Sequence, residues 1–154
     1  AKKMKINNFA LSFTNSPKDI FFFNKILSKE RKIIKIETKK AVKNIEKILK
    51  HCDEILIDRG DLSKEINIIE VPKAQRKIQK IANNKDKKVY IATNLLESMV
   101  SKPYPTRAEI NDIYNCLELG ANGLVLAAET AVGKWPLECI KIMSDVIKNY
   151  SKAI

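Results

Sequence analysis

The sequence predicts an α/β fold, a parallel sheet covered by helices, and three observations carry that prediction. Short apolar runs alternate with longer helical patterns along the chain, the runs are apolar on both faces, and each strand-helix unit takes roughly 20 to 35 residues. A strand covered on each side by helices needs no polar face, and a return to the same end of a parallel sheet needs a crossover of about a dozen residues or more.

The elements follow in order. Residues 7–13 (NNFALSF) form a strand; Ser16 then caps a helix, with Pro17 in its first turn and Asp19 as the reciprocal acid, running to about Leu27. Residues 32–37 (KIIKIE) are the second strand, followed by a helix over 40–50 with Ala41, Ile45, Ile48 and Leu49 on one face. The third strand is 54–59 (EILIDR). After a turn at Gly60 comes a short helical piece, and Pro72 opens a helix carrying Ala74, Ile78, Ile81 and Ala82. Residues 88–93 (KVYIAT) are the fourth strand, and Thr106 with Glu109 caps a helix that stops at Gly120. The fifth strand is 123–127 (GLVLA), and Pro136 stands near the start of a last helix reaching about Tyr150. A doubly wound sheet and a (β/α) barrel both fit this alternation, and five units are too few to close a barrel of eight. No repeat or linker-like stretch divides residues 1–154, so a single domain is expected.

Composition narrows the function classes. The chain is 45% hydrophobic and 31% charged, with no apolar stretch near the roughly 20 residues of a membrane span and no signal-peptide pattern at its lysine-rich start. A soluble, cytoplasmic protein with no membrane partner is expected. Cys52, Cys116 and Cys139 are odd in number and form no C-x-x-C pair, which fits reduced thiols. His51 beside Cys52 falls at the end of a basic helix, where a solvated residue is the ordinary case. The net charge of +11 would permit nucleic-acid binding, but only Arg31, Arg59, Arg76 and Arg107 are arginines, and the lysines are spread over nearly every helix without aromatic platforms. Base readers favour arginine forks and stacking rings, so no nucleic-acid partner is expected.

The informative feature is where polar residues fall. Lys35, Glu37, Asp61, Thr93 and Glu129 all lie at or just beyond the carboxyl ends of strands, the edge at which α/β folds place their active sites. Lys35 and Glu37 are two apart and point to the same side of their strand. Glu37 and Asp61, two carboxylates from adjacent strands, suit Mg²⁺, which prefers oxygen ligands and commonly takes one or two acids plus substrate oxygens. A salt-bridge cluster of Lys35, Glu37 and Arg59 is the alternative. Gly60 and Asp61 present backbone before a helix, where free N–H groups bind a carboxylate or phosphate.

Taken together, "KIE", "RGDL", "VYIATNLLESM", "KPYPTRAE" and "AETAVGKWPLE" resemble the pyruvate kinase family, in that family's order, from about residue 7 to 150. The resemblance implies a partial TIM-type (β/α) barrel of the pyruvate kinase kind, this chain supplying strands four to eight. It implies Mg²⁺-dependent (or Mn²⁺-dependent) phosphoryl transfer between phosphoenolpyruvate and ADP, giving pyruvate and ATP, as in glycolysis. On that likeness Glu37 and Asp61 hold the divalent metal, and Lys35 neutralises the transferring phosphoryl group and the developing enolate. The backbone of Gly60 and Asp61 binds the substrate carboxylate, and Thr93 sits near the carbon that gains a proton. Arg59 and Glu129 orient Lys35, Asp61 and Thr93 from behind. K⁺ is expected in a complete enzyme, with ligands outside this chain.

The departures are specific. Asp58 and Ser63 flank the R-G-D-L motif where the family usually has Ala and Gly, Ala127-Ala128-Glu129-Thr130 stands for the usual S-G-E-T, and Asn94 for a glutamine. The first three barrel strands, a lid domain and a regulatory C-terminal domain are not recognisable, so the chain is expected to be either part of a longer protein or a half that pairs with another polypeptide, as an oligomer or with a complementing barrel half. Two other classes stay open: a partial barrel serving as a binding or assembly subunit, and a Mg²⁺-dependent lyase or aldolase acting on a pyruvate enolate.

Overall fold

The computed structural model describes residues 4–27 and 29–152; Lys2 and Lys3 of the lysine-rich start lie outside them. Five strands, β1 (Asn8–Leu11), β2 (Arg31–Ile36), β3 (Glu54–Asp58), β4 (Lys88–Ala92) and β5 (Gly123–Val125), pair in parallel. Their order in the sheet is the order in the chain, β1-β2-β3-β4-β5. A doubly wound sheet reverses direction at a switch point, whereas a barrel winds one way. The sheet is therefore an open segment of a (β/α) barrel, which resolves what periodicity leaves open.

Helices return the chain between strands: α1 (Pro17–Ile26), α2 (Lys39–Lys43), α3 (Ile45–Ile48), α4 (Arg59–Glu65), α5 (Val71–Asn83), α6 (Arg107–Glu118), α7 (Ala128–Ala131) and α8 (Pro136–Lys152). Ile34 and Ile36 of β2, Ile55 and Ile57 of β3, and Val89 and Ile91 of β4 are buried in one core with Ile20, Ile45, Ile48 and Ile78 from the helices. Burying such side chains stabilises by about 1.5–3 kcal/mol each, the main term holding the helices to the sheet. By strand alternation Lys35, Leu56 and Tyr90 lie on the opposite, less covered face.

Both helix starts expected from cap residues form. The Asp19 carboxylate accepts hydrogen bonds from the N–H groups of Asn15 (2.9 Å) and Ser16 (2.8 Å). At α6 the Thr106 hydroxyl accepts from Glu109 N, and Glu109 accepts from Thr106 N at 2.7 Å. Glu109 also accepts from Ser98 N, fastening the loop after β4 to this helix.

Several boundaries differ from expectation. β1 ends at Leu11 because Phe13, at φ 52°, turns the chain so that its N–H meets Glu37 Oε1 at 2.5 Å. The helix expected over 40–50 is interrupted at Asn44 (φ −96°, ψ 9°), whose amide donates to Asn15 O. Arg59 starts α4 rather than ending β3, so Gly60 and Asp61 lie inside its first turn instead of in an open loop. β5 stops at Val125, and the unanticipated α7 follows.

Glu109 gives a pH test of the α6 cap. Burial pushes its carboxyl pKa up, but hydrogen bonds from Ser98 and Thr106 outweigh this and leave it below the ordinary glutamate value. A depressed folded-state pKa contributes stability that is complete above the unfolded value of about 4.3 and lost as pH falls through the folded one. Glu109→Gln is expected to lose about 1 kcal/mol at neutral pH and to flatten the acid limb of thermal stability below about pH 4.5. Thermal melts across pH 3–7, a range set by the ordinary carboxylate values, check both.

Candidate functional site

Register decides which polar side chains can meet. Lys35 pairs with Leu56 and Asp58 pairs with Ala92, so Lys35, Glu37 and Asp58 project from one face of two adjacent strands at their carboxyl ends. Lys35 Nζ lies 2.8 Å from Glu37 Oε2 and 2.9 Å from Asp58 Oδ2. Glu37 is fully buried. Its Oε2 has essentially no solvent contact, and the Lys35 ammonium answers it as an ion pair without hydrogen-bond alignment. Burial pulls the Lys35 pKa down, but the contacts with Glu37 and Asp58 more than offset that and leave it raised, so the ammonium stays charged at neutral pH.

Asp61 projects from the first turn of α4. Its carboxylate pairs with Lys64 at 2.8 Å, which holds its pKa below the ordinary aspartate range. Glu37, Asp58 and Asp61 each offer an oxygen, and the three oxygens lie within 4.8 Å of one another. An all-carboxylate set with two buried members, Glu37 and Asp58, suits a hard divalent cation such as Mg²⁺ or Mn²⁺ rather than zinc, so the residues present fit that group.

Thr93 is held in an unusual conformation just beyond β4, at φ 71°, a costly region for a β-branched residue. Its surroundings over-determine it. Arg59 Nε and Nη2 donate to Thr93 O at 3.1 and 2.7 Å, Gly60 N donates to Thr93 Oγ1 at 2.7 Å, and the hydroxyl faces Ala92 O and Asp58 Oδ1. Glycine at 60 permits this approach, since a Cβ there would stand 3.3 Å from Thr93 Oγ1.

Three expectations need correction. The N–H groups of Gly60 and Asp61 are not open: Gly60 N is taken by Thr93 Oγ1, and Asp61 N makes a long 3.4 Å contact with Asp58 Oδ1. Arg59 does not join a cluster with Lys35 and Glu37; its Nη1 pairs with Asp112 Oδ2 at 2.5 Å and its Nη2 also donates to Asn94 O. It therefore positions Thr93 but touches neither Lys35 nor Asp61. Glu129, also buried, accepts from Leu96 N (3.0 Å) and Ala127 N (2.8 Å), tying the loops after β4 and β5 together rather than orienting the three residues. Asp58, noticed in the sequence only as a departure, is a direct partner of Lys35. Its parity with Glu54 and Leu56 on β3 could have shown it facing Lys35, whereas nothing local marks Asp112 as the partner of Arg59.

His51 and Cys52 lie at the opposite ends of the strands. His51 is exposed and packs edge-on against Phe21 with centroids 4.8 Å apart. Burial pushes the Cys52 thiol up to about 12, so it is a poor nucleophile.

A family model described as "Pyruvate kinase, barrel domain" matches residues 1–140. The chain belongs to the pyruvate kinase family. It is 48% identical over 150 residues to a pyruvate kinase of Thermotoga maritima, covering 95% of this chain and 32% of that protein. Against a pyruvate kinase of Methanocaldococcus jannaschii the identity is 40% over 143 residues, 90% of this chain and 32% of the relative. Pyruvate kinase 2 of Synechocystis is 38% identical over 141 residues, 89% of this chain and 24% of the relative. The chain thus spans about a third or less of the length of these pyruvate kinases. Among the described residues, no helix is long and apolar enough to cross a membrane.

Arg59 supplies a test of how this barrel segment holds Thr93. Arg59→Lys keeps the charge but cannot serve Thr93 O, Asn94 O and Asp112 from one planar fork. It is expected to cost about 2–3 kcal/mol in urea unfolding with an unchanged denaturant slope.

Proposed function

We propose that this chain supplies strands four to eight of a pyruvate kinase catalytic barrel and serves phosphoryl transfer between phosphoenolpyruvate and ADP, giving pyruvate and ATP. One observation carries this reading: a charged lysine and three carboxylates from β2, β3 and α4 converge at the carboxyl edge of a barrel sheet, with Thr93 of the next strand beside them. First barrel strands, lid and regulatory domain would come from elsewhere in a longer polypeptide or from a partner. The exposed Ile140 and Ile147 on α8, which line a groove with Leu124 of β5, are consistent with such closure.

In this reading Glu37 and Asp61 hold Mg²⁺ or Mn²⁺, which when bound neutralises charge on the substrate's carboxylate and phosphate oxygens. K⁺ would bind in the complete enzyme. Lys35 Nζ points a full positive charge at the bridging oxygen and phosphoryl group of phosphoenolpyruvate. As the ester P–O bond breaks and the new P–O bond to ADP forms, that oxygen takes the electron pair, and the ammonium favours the resulting enolate. A positioned charge of this kind is worth roughly several kcal/mol in a site closed to water. Gly60 N and Asp61 N would receive the substrate carboxylate in exchange for their present oxygen partners. The enolate then takes a proton at its methylene carbon. In this reading Thr93 Oγ1 serves that carbon and passes the proton through water, since a hydroxyl is a weak acid.

A second reading, a non-catalytic barrel subunit, is favoured by the Asp58 contact that already engages Lys35. A coupled assay with phosphoenolpyruvate, ADP, Mg²⁺ and K⁺, on protein from the intact reading frame, separates the two. Pyruvate formation that falls at least about a thousandfold in Lys35→Met supports phosphoryl transfer. An inactive parent protein supports the subunit, and a fully active Lys35→Met variant contradicts the assigned role of the lysine.

A further inference from the structure

Asp58 faces inward at the end of β3, nine-tenths buried, and its two oxygens spread over the donors that the proposed reaction assigns to substrate. Oδ2 takes Lys35 Nζ at 2.9 Å, while Oδ1 lies 3.3 Å from Thr93 Oγ1 and 3.4 Å from Asp61 N. An anionic substrate and Asp58 therefore compete for the same ammonium and the same polar hydrogens. Its negative charge has the opposite effect on a cation, because it adds a third carboxylate oxygen within 4.8 Å of those of Glu37 and Asp61.

We propose that Asp58 is a specificity-determining residue: a resident carboxylate that weakens binding of dianionic substrate at Lys35 while strengthening binding of the divalent cation. The inference rests on the phosphoryl-transfer reading of this site, and it makes the two affinities move in opposite directions when the charge is removed. Two effects oppose each other across the site. The repulsion acts between groups a few ångströms apart on a half-covered face, where solvent screens it only in part. The metal gains from each added carboxylate oxygen, as hard cations do.

The test is calorimetric titration of protein from the intact reading frame, first with Mn²⁺ alone and then with oxalate, a dianionic enolate mimic, at saturating Mn²⁺. Asp58→Asn keeps an oxygen for Asp61 N and so keeps the start of α4, and Asp58→Ala removes the side chain. Both variants are expected to bind oxalate about tenfold or more tightly than the parent protein and Mn²⁺ alone several-fold more weakly. A purely structural role would not move the two in opposite senses. Oxalate binding unchanged or weakened in Asp58→Asn, with Mn²⁺ still bound, overturns the role of Asp58 and leaves the phosphoryl-transfer reading standing. Failure of parent and variants alike to bind oxalate with Mn²⁺ overturns both.

Discussion

Burying the Glu37 carboxylate at the end of β2 costs several kcal/mol unless a positive charge answers it, and the rest of the site is arranged around that answer. Lys35, two residues earlier on the same face, supplies it at 2.8 Å and is itself held by Asp58 from the next strand. Phe13 N closes the other oxygen of Glu37, which makes the turn after β1 part of the same unit. A buried ion pair of this kind adds little net stability. Its consequence is placement: a charged ammonium and a buried acid fixed at one sheet edge, the arrangement on which the proposed phosphoryl transfer relies.

The sequential parallel order of the sheet makes this placement possible. Because β1 to β5 wind in one direction, the ends of β2, β3 and β4 lie side by side, and residues from 35 to 93 reach one another without a long loop. Behind them a separate network keeps Thr93 in its left-handed conformation. Arg59 clamps the Thr93 and Asn94 carbonyls and anchors to Asp112 on α6, while Glu129 joins the loops after β4 and β5. The charged face and the clamp share Asp58, Gly60 and Thr93, so a change in either is felt by the other.

The fold was legible where its determinants are local. Ser16 with Asp19 and Thr106 with Glu109 announce helix starts within four residues, and apolar runs announce the strands. The breaks at Phe13 and Asn44 were hidden because partners more than twenty residues away make them. In the site, Lys35 and Glu37 could be paired by strand alternation, since two residues along a strand share a face whatever the fold. Asp61 and Thr93 could be gathered only once strand ends were taken as one edge. Of the partners expected for Arg59 only Thr93 is met, and Glu129 holds the Leu96 and Ala127 amides instead of the expected three residues. Asp112 on α6 and the Leu96 amide are more than thirty residues from the side chains they meet and carry no pattern of their own.

The account depends on Glu37 and Asp61 converging on one divalent cation with Lys35 beside it. Anomalous scattering from crystals of the protein soaked in Mn²⁺ tests this directly. A single strong peak about 2.1–2.2 Å from a carboxylate oxygen of each acid is the predicted result. A peak bound elsewhere, or crystals that diffract well and show no peak between these side chains at saturating Mn²⁺, would contradict it.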